Sequence, residues 1–298
     1  MDRRRFLSAL ALLLSGCMPK SRGITVGSKN FTEQQVLGEL LAQYLARFTS
    51  VPINRRFYLA GSYICHQALL AGRIDMYVEY TGTALVAILK QKPVSDHAAV
   101  FNTVKDLYSR RFGLEVLPSL GFDNTFAMVM RGNDARRLRL KTLSDAAAIS
   151  SQLRLGVGYE FLERPDGYQG LASKYGFKFA ETPRVMDLGL LYRALQNNQV
   201  DIVAGSNTDG LIAALDLVVL EDDRHYFPPY DAVPIVRRAT LERHPEIAAP
   251  LQKLSGRISA DDMRHMNYAV DGEKKDAALV VKDFLHRSSF ISQGRNSV

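Results

Sequence analysis

The chain has 298 residues, 47% apolar and 23% charged, which excludes a disordered protein and leaves room for two ordinary packed domains or one large one. Its 38 basic and 31 acidic residues leave a charge of +7, spread without any run of five basic residues, so no nucleic-acid-binding face is indicated. With only two cysteines, Cys17 and Cys65, a disulfide framework is excluded, and the six histidines show no metal-ligand spacing.

Residues 1–23 read as an address. Arg3, Arg4 and Arg5 precede a short apolar run, Phe6 to Leu14, too short to span a bilayer. Leu14-Ser15-Gly16-Cys17 resembles a bacterial lipobox with Cys17 as the lipidation site, and Arg3 to Leu7 also resembles a twin-arginine export signal. The expectation is an exported protein, lipid-anchored through Cys17 and facing the periplasm or the extracellular side. No later run reaches 18 apolar residues.

Strands and helices then alternate. Ile24 to Gly27 predicts a strand, and Thr32 to Phe48 an amphipathic helix with Thr32 and Gln35 as a capping box. A strand at Ile53 to Tyr58, a helix from Ser62 to Leu70 ending at Gly72, and a strand at Ile74 to Val78 follow. Cys65 and His66 fall on that helix about 100° apart, so both are expected in core or surface roles. Helices are predicted at about 82–90 and 96–112, then extended segments at Leu114 to Leu117 and Thr125 to Met130. The pattern restarts with strands at Leu153 to Gly158, Val200 to Ala204 and Leu217 to Leu220, separated by helical stretches. After a strand at Val233 to Arg237, the last 60 residues are mainly helical. This rhythm argues for an α/β protein with parallel sheets covered on both faces. Two such lobes facing each other would hold a ligand cleft between them.

Six segments carry a resemblance. They are Val26–Glu33 (VGSKNFTE), Gly72–Thr83 (GRIDMYVEYTGT), Arg164–Gly167 (RPDG), Asn207–Gly210 (NTDG), Phe227–Tyr230 (FPPY) and Met266–Asp271 (MNYAVD). In this order the chain resembles the quaternary-ammonium (glycine betaine, choline, carnitine) binding proteins of ABC importers. The resemblance implies a two-lobed type II periplasmic-binding fold. One lobe would take 24–123 and 235–298, the other 124–234, with hinge strands near 123–127 and 230–235.

It also implies a site. A trimethylammonium head has no hydrogen-bond donor and is recognised by aromatic faces. Tyr80, Phe126 and Tyr230 would supply those walls, with Thr83 as a polar contact. Lys29 and Arg164 would hold a ligand carboxylate from the two lobes, and Glu160 would orient Arg164. Two positions depart from the family: Phe126 stands where tyrosine is usual, and Ser206 where an aromatic residue is frequent. Asp209 reads as a helix cap. Tyr159, Tyr168 and Tyr226 are candidates to compensate for Ser206.

The expected function is a solute-binding receptor of an ABC importer, partnered by a permease subunit and needing neither cofactor nor metal. Within that class, an amino-acid-like solute or heterocyclic betaine is an alternative to a simple betaine. A sensory receptor and an exported enzyme are further alternatives. The enzyme is disfavoured by the absence of a GxSxG or zinc motif.

Overall fold

The computed structural model describes residues 23–287. The expected export signal and the Cys17 lipidation site lie outside the described residues.

Two five-stranded sheets organise the chain. The first takes β1 (Ile24–Gly27), β2 (Ile53–Arg56), β3 (Met76–Tyr80) and β4 (Leu114–Val116). The chain then crosses and builds the second from β5 (Phe126–Arg131), β6 (Leu155–Val157), β7 (Arg184–Val185), β8 (Ile202–Ser206) and β9 (Leu217–Val219). It returns to the first sheet as β10 (Ala232–Arg237). The strand orders are β2-β1-β3-β10-β4 and β7-β6-β8-β5-β9.

Both sheets are mixed, not parallel throughout as the rhythm predicted. In each, a parallel trio is flanked by the strand that has just crossed from the other lobe. β10 runs antiparallel to β3, and β5 antiparallel to β8. The crossing segments lie side by side: Asn124 N–H donates to Tyr230 O (3.1 Å) and Ala232 N–H to Phe122 O (3.1 Å). Since β10 already belongs to the first sheet at Ala232, the return crossing comes before residue 235.

Burial follows the two-residue period of a strand covered on both faces. From β3, Met76, Val78 and Tyr80 enter the core under the helices Thr32–Leu45, Ala260–Asp271 and Ala277–Arg287. Tyr77 points the other way, into the cluster with Val100, Val104 and Tyr108 of the helix His97–Phe112. Glu79 shares that second face and is fully buried, so it needs an internal partner. The second sheet repeats the arrangement, with Met128 and Met130 in one cluster and Ala127 and Val129 in another.

Three local expectations are corrected. The Thr32–Gln35 capping box is not formed: Phe31 is the N-cap residue and makes no side-chain cap bond. Thr32 Oγ1 instead donates to Asp271 Oδ1 at 2.6 Å, a partner 239 residues away. The helix predicted at about 82–90 divides into Thr81–Thr83 and a π-helical turn, Ala84–Ile88, a geometry frequent beside functional sites. The helices Gly132–Leu138 and Arg238–Arg243 were not anticipated.

Candidate functional site

A cavity of about 230 Å³ opens between the two sheets, at the carboxyl ends of β3 and β8. Lys29, Tyr80, Thr83, Phe126, Glu160, Arg164, Ser206 and Tyr230 all line it. Strand ends and helix starts deliver them, the usual ligand position of open α/β sheets. What each side chain does there differs from the expectation in several cases.

Lys29 is 2% exposed, and its ammonium pairs with Glu79, which is fully buried. It also donates to Ser62 Oγ at 3.1 Å and lies 4.5 Å from the centre of the Tyr80 ring. Tyr77 donates to the other Glu79 oxygen at 3.0 Å. Lys29 is therefore neutralised inside the first lobe, and a free carboxylate clamp at this position is corrected.

Arg164 reaches across the cleft. Nε and Nη2 grip the two oxygens of Asp166, at 2.9 and 2.5 Å, and Nη1 donates to Thr83 Oγ1 of the first lobe at 2.9 Å. Burial works against the guanidinium's charge, yet the adjacent Asp166 carboxylate holds its pKa above the ordinary value. The guanidinium stacks 5.0 Å from the Phe126 ring centre and 5.7 Å from that of Tyr230. Those two rings meet edge to face at 5.5 Å, and Tyr230 donates its hydroxyl to Asp166 at 2.7 Å. Three of the five N–H groups of Arg164 are used in these bonds, which leaves two for a ligand.

Glu160 does not orient Arg164 by a side-chain bond. It accepts from the Ser62 backbone N–H at 2.6 Å, at the start of the helix Ser62–Leu70, and so joins the lobes. Ser206 sits opposite Phe126 in the β5–β8 register. None of Tyr159, Tyr168 and Tyr226 lines the cavity, whereas Tyr58 and Tyr192 do.

An acidic end was not anticipated. Glu33 Oε1 accepts from Tyr80 (2.6 Å) and Asn124 (2.6 Å), and Oε2 from Thr208 (2.5 Å) and Asn267 (2.9 Å). No cation is among these four donors. Asp209 caps no helix. Its Oδ2 accepts from the Tyr192 hydroxyl and from Ser206 N–H, tying down the end of β8. Burial, helped by the charges of Glu33 and Asp271, pushes its pKa up to about 7. The sequence signal for this end was the pair of segments already quoted for the resemblance: Asp209 lies in NTDG and Asn267 in MNYAVD.

Cys65 and His66 are core residues. Burial pushes the Cys65 thiol up to about 12, and the His66 ring meets Tyr108 and Phe112 edge-on. One potential metal group occurs among the described residues: His97, Asp123 and Asp231 bring ligand atoms within 4.8 Å at the crossing segments. His97 Nδ1 lies 2.8 Å from Asp231 Oδ2 there. Its members are 134 positions apart at the extremes, beyond the reach of spacing rules.

Two open α/β lobes, joined by paired crossing segments over one lined cleft, define a two-lobed solute-binding protein. Residues 22–287 match the family described as the substrate binding domain of ABC-type glycine betaine transport system, and the chain belongs to that family. It is 33% identical over 294 residues to the carnitine transport binding protein OpuCC of Listeria monocytogenes, covering 96% of this chain and 95% of that protein. It is 35% identical over 269 residues to the ergothioneine transport permease/ergothioneine binding protein EgtU of Helicobacter pylori, covering 90% of this chain and 48% of that one. Among solved structures, a glycine betaine/carnitine/choline ABC transporter structure superposes with a TM-score of 0.74 at 35% identity, covering 89% of this chain and 98% of the other.

Proposed function

We propose that this substrate-binding component of an ABC importer for glycine betaine/carnitine-type solutes takes a zwitterionic quaternary-ammonium solute in the cleft and closes its lobes around it. The carrying observation is that Arg164 spans from the second lobe to Thr83 of the first while keeping two N–H groups unused. A solute carboxylate on Arg164 would therefore bridge both lobes, coupling binding to closure. The ammonium head packs among Tyr80, Phe126 and Tyr230, with Glu33 and Asp209 supplying negative charge at its far side. Lys29 and Arg164 already cover one face of these rings, so the head uses the remaining faces and edges.

Transfer chemistry is not supported at the cleft. Ser62 has a lysine beside it, but Lys29 is held protonated by Glu79 and donates to the hydroxyl, so it does not serve as a base. The closed receptor delivers its solute to a permease subunit. Among the described residues no helix is long and apolar enough to cross a membrane, and attachment through lipidated Cys17 fits that arrangement.

The test is calorimetric titration of the soluble protein with glycine betaine, carnitine, choline and unmethylated amino acids. Saturable binding confined to the quaternary compounds is expected. Binding of amino acids alone would overturn the reading.

A further inference from the structure

The acidic end of the cleft contains acceptors that a simple betaine leaves unanswered. Asn124 and Asn267 both donate their amide nitrogen to Glu33, at 2.6 and 2.9 Å. These bonds fix how each amide faces, because the flipped amide would set a carbonyl against a carboxylate. Asn124 Oδ1 and Asn267 Oδ1 are consequently turned from Glu33. The two residues are 8% and 2% exposed, both line the cavity, and neither carbonyl oxygen has a hydrogen-bond partner. Buried carbonyls without donors are uncommon in folded proteins. Beside them, Asp209 receives both its bonds on one oxygen, Oδ2.

The protein's own cations do not answer these groups. Lys29 is paired with Glu79 and Arg164 with Asp166, while Arg193 and Lys274 of the lining are exposed. A trimethylammonium head does not answer them either, since it carries charge but no N–H.

We propose that the solute itself presents N–H or O–H donors to Asn124 Oδ1, Asn267 Oδ1 and Asp209, so that the preferred ligand is a betaine with a donor-bearing polar arm, such as a ring N–H. The proposal rests on the betaine reading above and narrows it. Glycine betaine has three methyl groups and a carboxylate, and would leave both carbonyls desolvated and unbonded. A site built around donors discriminates against the analogue that lacks them more sharply than it responds to size.

Three probes separate the cases: histidine betaine, its ring N-methylated derivative, and glycine betaine, each titrated calorimetrically into the soluble protein. Histidine betaine should bind at least about tenfold more tightly than either of the others, the equivalent of one satisfied hydrogen bond. Equal or tighter binding of glycine betaine or the N-methylated compound overturns the donor assignment and leaves the betaine reading standing. If none of the three binds, and choline and carnitine also fail, both readings fall. In Asp209→Asn an amide donor replaces the acceptor of nearly the same shape. With unchanged melting as the check on folding, the preference for histidine betaine over glycine betaine should shrink by about tenfold. An unchanged preference removes Asp209 from the recognition.

Discussion

At the scale of single residues, the cleft is governed by which charges are already paired. Lys29 and Glu79 form an ion pair with almost no water contact. Removing one partner of such a pair strands the other charge, at a cost of about 3–5 kcal/mol. Glu79→Gln is therefore expected to lower the melting temperature sharply, by more than any single substitution on the solvent face of a helix, as read by calorimetry. Arg164→Ala should weaken carboxylated solutes at least about tenfold, and choline less, because choline offers nothing to the two unused N–H groups. Equal losses for both would show that Arg164 only supports Phe126 and Tyr230. Asp209 makes the site pH-sensitive. Its carboxyl is pushed up to about 7 and faces Glu33 and Asp271, with Tyr192 and Ser206 N–H as donors and exposed Arg193 and Lys274 at the rim. The folded state holds this proton more tightly than the unfolded chain, so its contribution to stability is full at low pH and fades as pH rises through about 7. Cation binding works in the opposite direction by favouring the carboxylate. Affinity should rise from pH 6 to 8, with proton release on binding near pH 7 that differs between buffers of different ionisation enthalpy.

At the scale of elements, close approach decides where the walls stand. Gly82 lies in the short helix Thr81–Thr83, and a β-carbon there would sit 2.7 Å from both Pro229 O and the Tyr230 ring. Gly82→Ala is expected to displace Tyr230 and with it the Asp166–Arg164 grip. The result should be weaker solute binding with little change in the helices, checked by titration alongside circular dichroism. Element order and type were largely legible, because β3 and the helix His97–Phe112 follow clear periodicities, the latter closed by Asp96 capping Ala99 N–H and by Gly113 at φ +64°. The fate of Thr32 was not legible. Local spacing favoured a capping box, but a buried carboxylate from the far end of the chain took the hydroxyl.

At the scale of the whole molecule, polar bonds between lobes hold the cleft shut. Glu160 accepts from Ser62, Arg164 donates to Thr83, Thr208 to Glu33, and Arg264 to Asn207 O. Glu160→Ala removes one of these without touching either core. Small-angle scattering should show a larger unliganded radius of gyration and a solute-induced contraction at higher solute concentration than in the parent protein. A radius unchanged from the parent in both states would mean that the Glu160–Ser62 bond does not hold the lobes together.

The sequence by itself determined the α/β rhythm, the family, and the eight residues that reach the cleft, because these depend on side-chain periodicity and on short segments read in order. Which of those residues remain free to meet a solute was decided only by the tertiary structure. Lys29 is neutralised by a strand residue 50 positions on, Glu33 is saturated by donors from four separate segments, and the acceptors of Asn124 and Asn267 are left open. The physical reason is that the free energy of a buried charge or carbonyl is set by partners within about 3 Å, and in this fold those partners come from distant parts of the chain.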